Sequence, residues 1–396
     1  MTILLYTIKI ISISLKGSVM ENKQPNFINT KKSFILKLRE WVFNHRKLSI
    51  SICVVLVVAL VSGGITLAII LNKPKIETKS ITKSVVKKPK TKPTPAPKKY
   101  YAPLTGREVP DEAATKRAIT AIMIENSPAA RPQSGLQGAE ITYEAIAEGG
   151  ITRFLNLYQQ SKPGLIGPVR SLRPYYVDWL APWQASVAHV GGSKRSLDEI
   201  RNGKYRDIDQ FFNGGSYWRS TDRWAPHNVY TNFERLDALN SAKGYIESTP
   251  SAIKRAPTSA KSPKPNATNI SVTMSGATYN SSWIYNPETN NYQRSQAGAP
   301  HLDREAGQIT SDIVVILKMQ MNLVQEDGWR ENYNSSGEGA AIIFQNGTVH
   351  EVTWRKPATA DQLSFIGADG KDFLLSPGKL WISAVPANKN GGVTWQ

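Results

Sequence analysis

Cysteine is nearly absent from this chain: the one present, Cys53, sits inside a long apolar run. The rest of the polypeptide therefore forms no disulfide and offers no thiolate. Cys53 lies near the front of that run, behind His45, Arg46 and Lys47. It lacks the preceding apolar segment that a lipidated cysteine requires and reads as an inert membrane cysteine. Paired-Cys zinc spacing and HExxH are both missing, and His227, His301 and Asp303 do not replace them, so no metal is expected. Walker loops, GxGxxG and GxSxG elbows are missing too, and no cofactor is expected. Ser251-Ala252-Ile253-Lys254 matches Ser-x-x-Lys, yet it lies in a Pro-rich stretch instead of opening a buried helix.

Acidic residues are scarce at one end only. Residues 1–99 hold 19 Lys+Arg and 3 acids, or +16, out of a chain total of +18. Residues 100–396 hold 30 Lys+Arg and 28 acids, or +2. The globular part thus lacks the positive excess of a duplex binder, and nucleic acid is not an expected partner. The basic end suits anionic lipid head groups, or anionic wall polymers on an outer surface.

What is present is a run from Leu48 to Leu71 without a charged residue. It is long enough to cross a hydrocarbon core of roughly 30 Å and predicts one transmembrane helix over residues 48–71. Lysines and arginines are nearly balanced on its two sides, so the positive-inside comparison decides little. No small-residue cleavage site follows the run, which disfavours a signal peptide. Residues 1–47 are expected to be a basic cytoplasmic N-terminus, with Met1 or Met20 as the start. Residues 72–99, rich in Lys, Pro, Thr and Ser, read as a disordered, semi-rigid spacer.

From residue 100 the pattern becomes globular. The expected fold class is an α/β (α+β) N-terminal domain over 100–247 and a smaller β-rich C-terminal domain over 269–396, joined by a Pro/Ser-rich linker over 248–268. Ala118–Glu125, Glu140–Ile146, Thr152–Gln159 and Ala185–Val190 read as strands. Ser193 is placed to cap a helix reaching about Arg201, and Asn232–Leu239 reads as a helix. Beyond the linker, strands are expected at Ile270–Met274, Ser282–Tyr285, Tyr292–Arg294, Asp312–Leu317, Ala341–Phe344, Val349–Trp354, Phe373–Leu375 and Leu380–Val385. Asn346-Gly347, Asp369-Gly370 and Asn390-Gly391-Gly392 mark turns between them.

The densest polar cluster runs from Arg131 to Asn228. As an anion clamp, Arg153, Arg170, Arg173, Arg219 and Arg223 would grip carboxylate or phosphate. Read structurally, the same arginines pair with Glu144, Glu148, Asp178 and Asp222. A hydrolytic reading needs His189 or His227 beside Glu148 or Asp222. Asp303, in Pro300-His301-Leu302-Asp303, reads as a turn residue accepting backbone hydrogen bonds.

Several segments resemble the YerB-like lipoprotein family, a bacterial two-domain family of unknown function. They are Pro103-Leu104-Thr105-Gly106, Ala129-Ala130-Arg131-Pro132-Gln133-Ser134-Gly135-Leu136, Glu148-Gly149-Gly150-Ile151-Thr152-Arg153, Gly167-Pro168-Val169-Arg170-Ser171, His189-Val190-Gly191-Gly192-Ser193 and Ala225-Pro226-His227-Asn228. Pro300-His301-Leu302-Asp303 and Ser376-Pro377-Gly378-Lys379-Leu380-Trp381-Ile382 match its C-terminal domain. The resemblance covers about residues 100–396. It implies an envelope-facing, two-domain body and carries no reaction or ligand; an uncleaved span in place of a lipid anchor is the departure. The expectation is a single-pass membrane protein with its C-terminal domains outside, leaning away from an enzyme. It would bind an anionic wall polymer, peptidoglycan or an envelope protein through Arg131, Glu148, Arg153, Arg170, Arg173, His189, Arg223, His227 and Asn228. The alternatives are a wall hydrolase or transferase using Glu148, His189 and His227 as acid/base groups, and a scaffold for other envelope enzymes. Protease added to intact cells is expected to digest residues 100–396, and their protection would reverse the orientation.

Overall fold

Six consecutive residues, Thr120–Glu125 (β1), are all buried, as the apolar run predicts for a strand covered on both faces. The computed structural model describes residues 98–323 and 331–396. The basic N-terminus, the span over 48–71 and nearly all of the spacer lie outside the described residues. No helix among the described residues is long and apolar enough to cross a membrane.

Before β1 comes α1 (Glu112–Lys116), where Asp111 accepts from the Ala114 amide at 2.8 Å. After it come β2 (Ile141–Glu148), β3 (Ile151–Tyr158), α2 (Pro174–Leu180), β4 (Ser186–Ala188), α3 (Lys194–Ile200), β5 (Arg206–Asp207) and α4 (Phe233–Ala242). Pro174 opens α2 at a position where its missing N–H costs nothing. Ser193 caps α3, as its place in the sequence predicts, and Asn232 caps α4. The second half adds β6 (Asn269–Thr273), β7 (Ser281–Asn286), β8 (Asn291–Gln296), β9 (Ile313–Met319), β10 (Gly337–Gln345), β11 (Thr348–Lys356), β12 (Ser364–Ile366), β13 (Leu380–Pro386) and β14 (Gly392–Trp395). The fold is thus mostly β with few helices, more β-rich in its first half than an α/β reading anticipates.

The two halves share one ten-stranded sheet, in the order β12-β11-β10-β9-β13-β2-β3-β1-β4-β5. The late strand β13 lies between β9 and β2 and runs parallel to both. All seven of its residues are buried, as a strand with neighbours on both sides requires. A second, six-stranded sheet contains β8-β7-β6-β14, extended by short pairings at Ala299–Pro300 and Thr310–Ser311. In β7 burial alternates along the strand, so one face turns inward. Residues 248–268 form no regular element, yet they are anchored: Ile253 and Ala267 are buried, and Arg255 donates to the Leu104 carbonyl at 2.6 Å.

One expected strand fails. Phe373–Leu375 makes only isolated bridges, Ile366 with Asp372 and Arg255 with Leu375. Its neighbours are the three-residue strand β12 and the irregular 248–268 segment, and neither offers an edge long enough for a ladder.

The sheets meet at a fully buried ion pair. Arg294 of β8 donates to both oxygens of Glu144 on β2 at 2.9 Å. The Trp381 indole and the Ser383 hydroxyl also donate to Glu144, at 3.0 and 3.3 Å. The guanidinium lies 4.6 Å from the Trp381 ring centroid, and Trp283 packs edge-on to Trp381 at 5.4 Å. Burial pushes the Arg294 guanidinium below its ordinary value, opposed by Glu144. Replacing Arg294 by Met strands a buried carboxylate and is expected to cost about 3–5 kcal/mol in urea unfolding. Adding Glu144→Gln is expected to recover part of that loss; a single variant as stable as the parent would refute the role.

Candidate functional site

Strands β1, β4 and β5 run parallel to one another. Their C-terminal ends put Glu125, His189 and Asp207 along one edge, the edge at which open sheets with parallel strands form ligand sites. The Gly167–Arg173 segment crosses that edge. The Glu125 amide donates to the Pro168 carbonyl at 3.0 Å, and the Arg170 amide to Met123 at 2.9 Å. Antiparallel β3 sets Arg153 opposite Glu125. The topology therefore gathers Glu148, Arg153, Arg170, Arg173 and His189, which lie far apart in sequence.

Most of these side chains are spent on one another. Glu148 receives Arg153 at 3.0 Å on one oxygen and the Arg173 Nε at 3.0 Å on the other. The two arginines also donate to the carbonyls of Ser171 and Leu172. Burial raises the Glu148 carboxyl, but the two guanidiniums outweigh it and hold the group below the usual carboxylate range. Arg223 donates to the Ala129 and Pro132 carbonyls at 2.8 and 2.6 Å. Arg131 donates to Asn126 Oδ1 at 3.1 Å and the Thr278 carbonyl at 3.0 Å. Asn228 accepts from Arg219 at 2.7 Å and donates to the Ser220 carbonyl at 3.0 Å. These residues brace the loops around the edge. Of the other acids weighed as partners, Asp222 pairs with Arg304 and Asp178 accepts from Thr359, both from the second half.

His189 is fully buried, with Nδ1 2.7 Å from the Gly191 carbonyl and Nε2 3.0 Å from Asp207 Oδ1. Asp209 completes a group whose ligand atoms lie within 4.8 Å of one another. The Arg201 guanidinium is 2.5 Å from Asp209. Asp207 is thus engaged by His189 and Asp209 by Arg201. Sequence reasoning passed over Asp207 and Asp209; their i, i+2 spacing at a strand end was the available signal.

Glu125 was missed as well, because it closes an otherwise apolar strand. It is buried beside His227, whose Nδ1 lies 2.9 Å from Glu125 Oε1. The Ser127 hydroxyl donates to the same oxygen at 2.9 Å. An ionised carboxylate only accepts, so the Nδ1 of His227 carries the ring hydrogen here. Its Nε2 makes no hydrogen bond among the described residues, and the side chain is 27% exposed. On the other side, Arg170 Nε lies 3.3 Å from Glu125 Oε2, too poorly aligned for a hydrogen bond. The Arg170 guanidinium makes no hydrogen bond among the described residues. Glu148, His189 and His227, expected as an acid/base group, therefore have separate partners and do not form one.

Two domain descriptions match the chain: "Protein of unknown function (DUF3048) N-terminal domain" over residues 104–246, and its C-terminal domain over residues 270–382. A Bacillus subtilis (strain 168) protein described as "Putative lipoprotein YerB" is 33% identical over 298 residues, covering 73% of this chain and 87% of that protein. The crystal structure of YerB protein from Bacillus subtilis superposes with a TM-score of 0.67 at 29% identity, covering 74% of this chain and 99% of that one.

The depressed Glu148 carboxyl has a sign that can be checked. Its contribution is complete above the ordinary carboxylate value of 4.5 and is lost as pH falls through the lower folded value. Glu148→Gln is expected to flatten this acid limb when urea midpoints are measured from about pH 6 down to about pH 3. An unchanged limb would show that the pair contributes nothing.

Proposed function

The chain belongs to the YerB-like family defined by the two DUF3048 domains, and from that premise we propose a membrane-anchored, extracytoplasmic envelope protein that binds an anionic envelope ligand at Arg170 and His227. The address rests on the lipoprotein name of the Bacillus relative together with the apolar run over residues 48–71 and the Lys/Pro spacer. The anchor in this reading is the uncleaved span. A lipid-anchored form would begin at Cys53, so the mass of the mature protein distinguishes the two.

The observation that supports binding is the pair of unused groups flanking one carboxylate. Arg170 keeps its guanidinium unbonded and His227 keeps Nε2 unbonded, while Glu125 fixes both in place. The guanidinium donors of Arg170 suit a carboxylate or phosphate, and the His227 Nε2, an acceptor while Nδ1 holds the ring hydrogen, suits a hydroxyl carried beside that anionic group. The neighbouring arginines hold backbone carbonyls and Glu148, so they shape the rim rather than grip the ligand.

Full-length protein is expected to bind anionic cell-wall fragments. Arg170→Gln should weaken that binding about 10-fold or more, as loss of a charge-assisted hydrogen bond does, and His227→Gln should weaken it by less. Circular dichroism of both variants should match the parent. Absence of binding to every wall fraction removes the proposal.

A further inference from the structure

Parts of three stretches meet at a different place from Arg170 and His227. They are Gly167, the residues from Trp218 to Asp222, and the turn at Asp303. Between them lies a cavity of about 240 Å³ lined by Trp218, Ser220, Asp222, Tyr230, Arg304 and Glu305.

The walls are built firmly. A Cβ on Gly167 would come within 2.7 Å of the Tyr230 ring, at a φ of +153° that disfavours other residues. Glycine there lets the tyrosine lie against the backbone. Asp303 accepts from the Glu305 amide at 3.1 Å and from Gln137 N at 2.9 Å. The Arg304 amide donates to the Gln133 carbonyl at 2.7 Å. Arg304 and Glu305 thus project from a turn tied to the first half of the chain. Arg304 reaches Asp222 at 2.9 Å.

The chemistry is that of a site with an unfilled requirement. Tyr230 is buried, and its hydroxyl lies beside the Arg304 guanidinium without making a well-aligned hydrogen bond among the described residues. Burial raises the phenol above its ordinary value despite Arg223 and Arg304, so it stays protonated and can donate. A buried hydroxyl without a well-formed hydrogen bond destabilises the free protein, and buried polar groups ordinarily have good partners. Two carboxylates against one guanidinium disfavour an anion. The indole of Trp218 offers an apolar wall beside acceptors on Asp222 and Glu305 and donors on Arg304, Tyr230 and Ser220. A neutral sugar ring has the matching groups: a C–H face for the indole and hydroxyls that both donate and accept. We infer that this pocket is a binding site for a neutral saccharide, separate from the anion site.

Full-length protein in a sugar-free detergent is titrated with glucose and with N-acetylglucosamine, read by saturation-transfer NMR. Binding is expected for at least one of them. Tyr230→Phe should weaken it about tenfold, one hydrogen bond's worth, while leaving thermal stability equal or higher. Trp218→Ala should remove the signal. Arg170→Gln should leave it unchanged, which keeps this test independent of the anion site. No saturation transfer from either sugar would overturn the inference. So would equal affinity in Tyr230→Phe, or tighter binding of cationic glucosamine than of glucose.

Discussion

The buried contact between Glu144 and Arg294 is the constraint from which the rest of the architecture follows. Two ions removed from water need each other and a full set of hydrogen bonds. Glu144 has the Trp381 indole and Ser383 in addition to its arginine, and Arg294 has Gln296 and His301, with its Nε left unpaired among the described residues. Because arginine only donates, His301 accepts through Nδ1 and donates through Nε2 to Gln133 Oε1 at 2.9 Å. That assignment agrees with a neutral ring: burial, then Arg294 and Arg131, push His301 well below its ordinary value. Gln133 passes the order on, donating to the Glu125 carbonyl and to Asn126 Oδ1. The strand end that carries the candidate site is thereby tied to the core of the second sheet.

This connectivity engages most of the arginine-rich rim with other groups of the chain. Arg153 and Arg173 hold the end of β2 through Glu148, while Arg131 and Arg223 hold loops through carbonyls. Arg170 differs because the carboxylate beside it is already engaged by His227 and Ser127 on its other oxygen. The second pocket follows the same logic from the opposite direction, since its distinguishing group is a buried hydroxyl without a well-aligned hydrogen bond among the described residues.

The two halves of the chain are consecutive in sequence but interleaved in space. The last long strand, β13, completes the sheet between β9 and β2, so the first half lacks a second neighbour for β2 until the C-terminal segment arrives. The anchored 248–268 segment allows that return without forming an element of its own.

Local signals were legible. The apolar β1, the Ser193 and Asn232 caps and the Asn346-Gly347 hairpin turn between β10 and β11 follow from short-range chemistry, and Asp303 accepts backbone hydrogen bonds as turn residues do. Family membership was legible too, because motifs of fixed residue type survive in the chain itself. Which charge meets which was not: Glu144 and Arg294 are 150 positions apart, and Glu125 looks like the end of an apolar strand until His227 and Arg170 close on it. Phe373–Leu375 has strand composition yet no ladder to join. By itself the sequence determined the near-neutral body, the lack of disulfides and the local elements, since these depend on composition and neighbours within a few residues. Only the tertiary structure decided which polar groups are satisfied and which are not, because hydrogen-bond partners are chosen by distance in space.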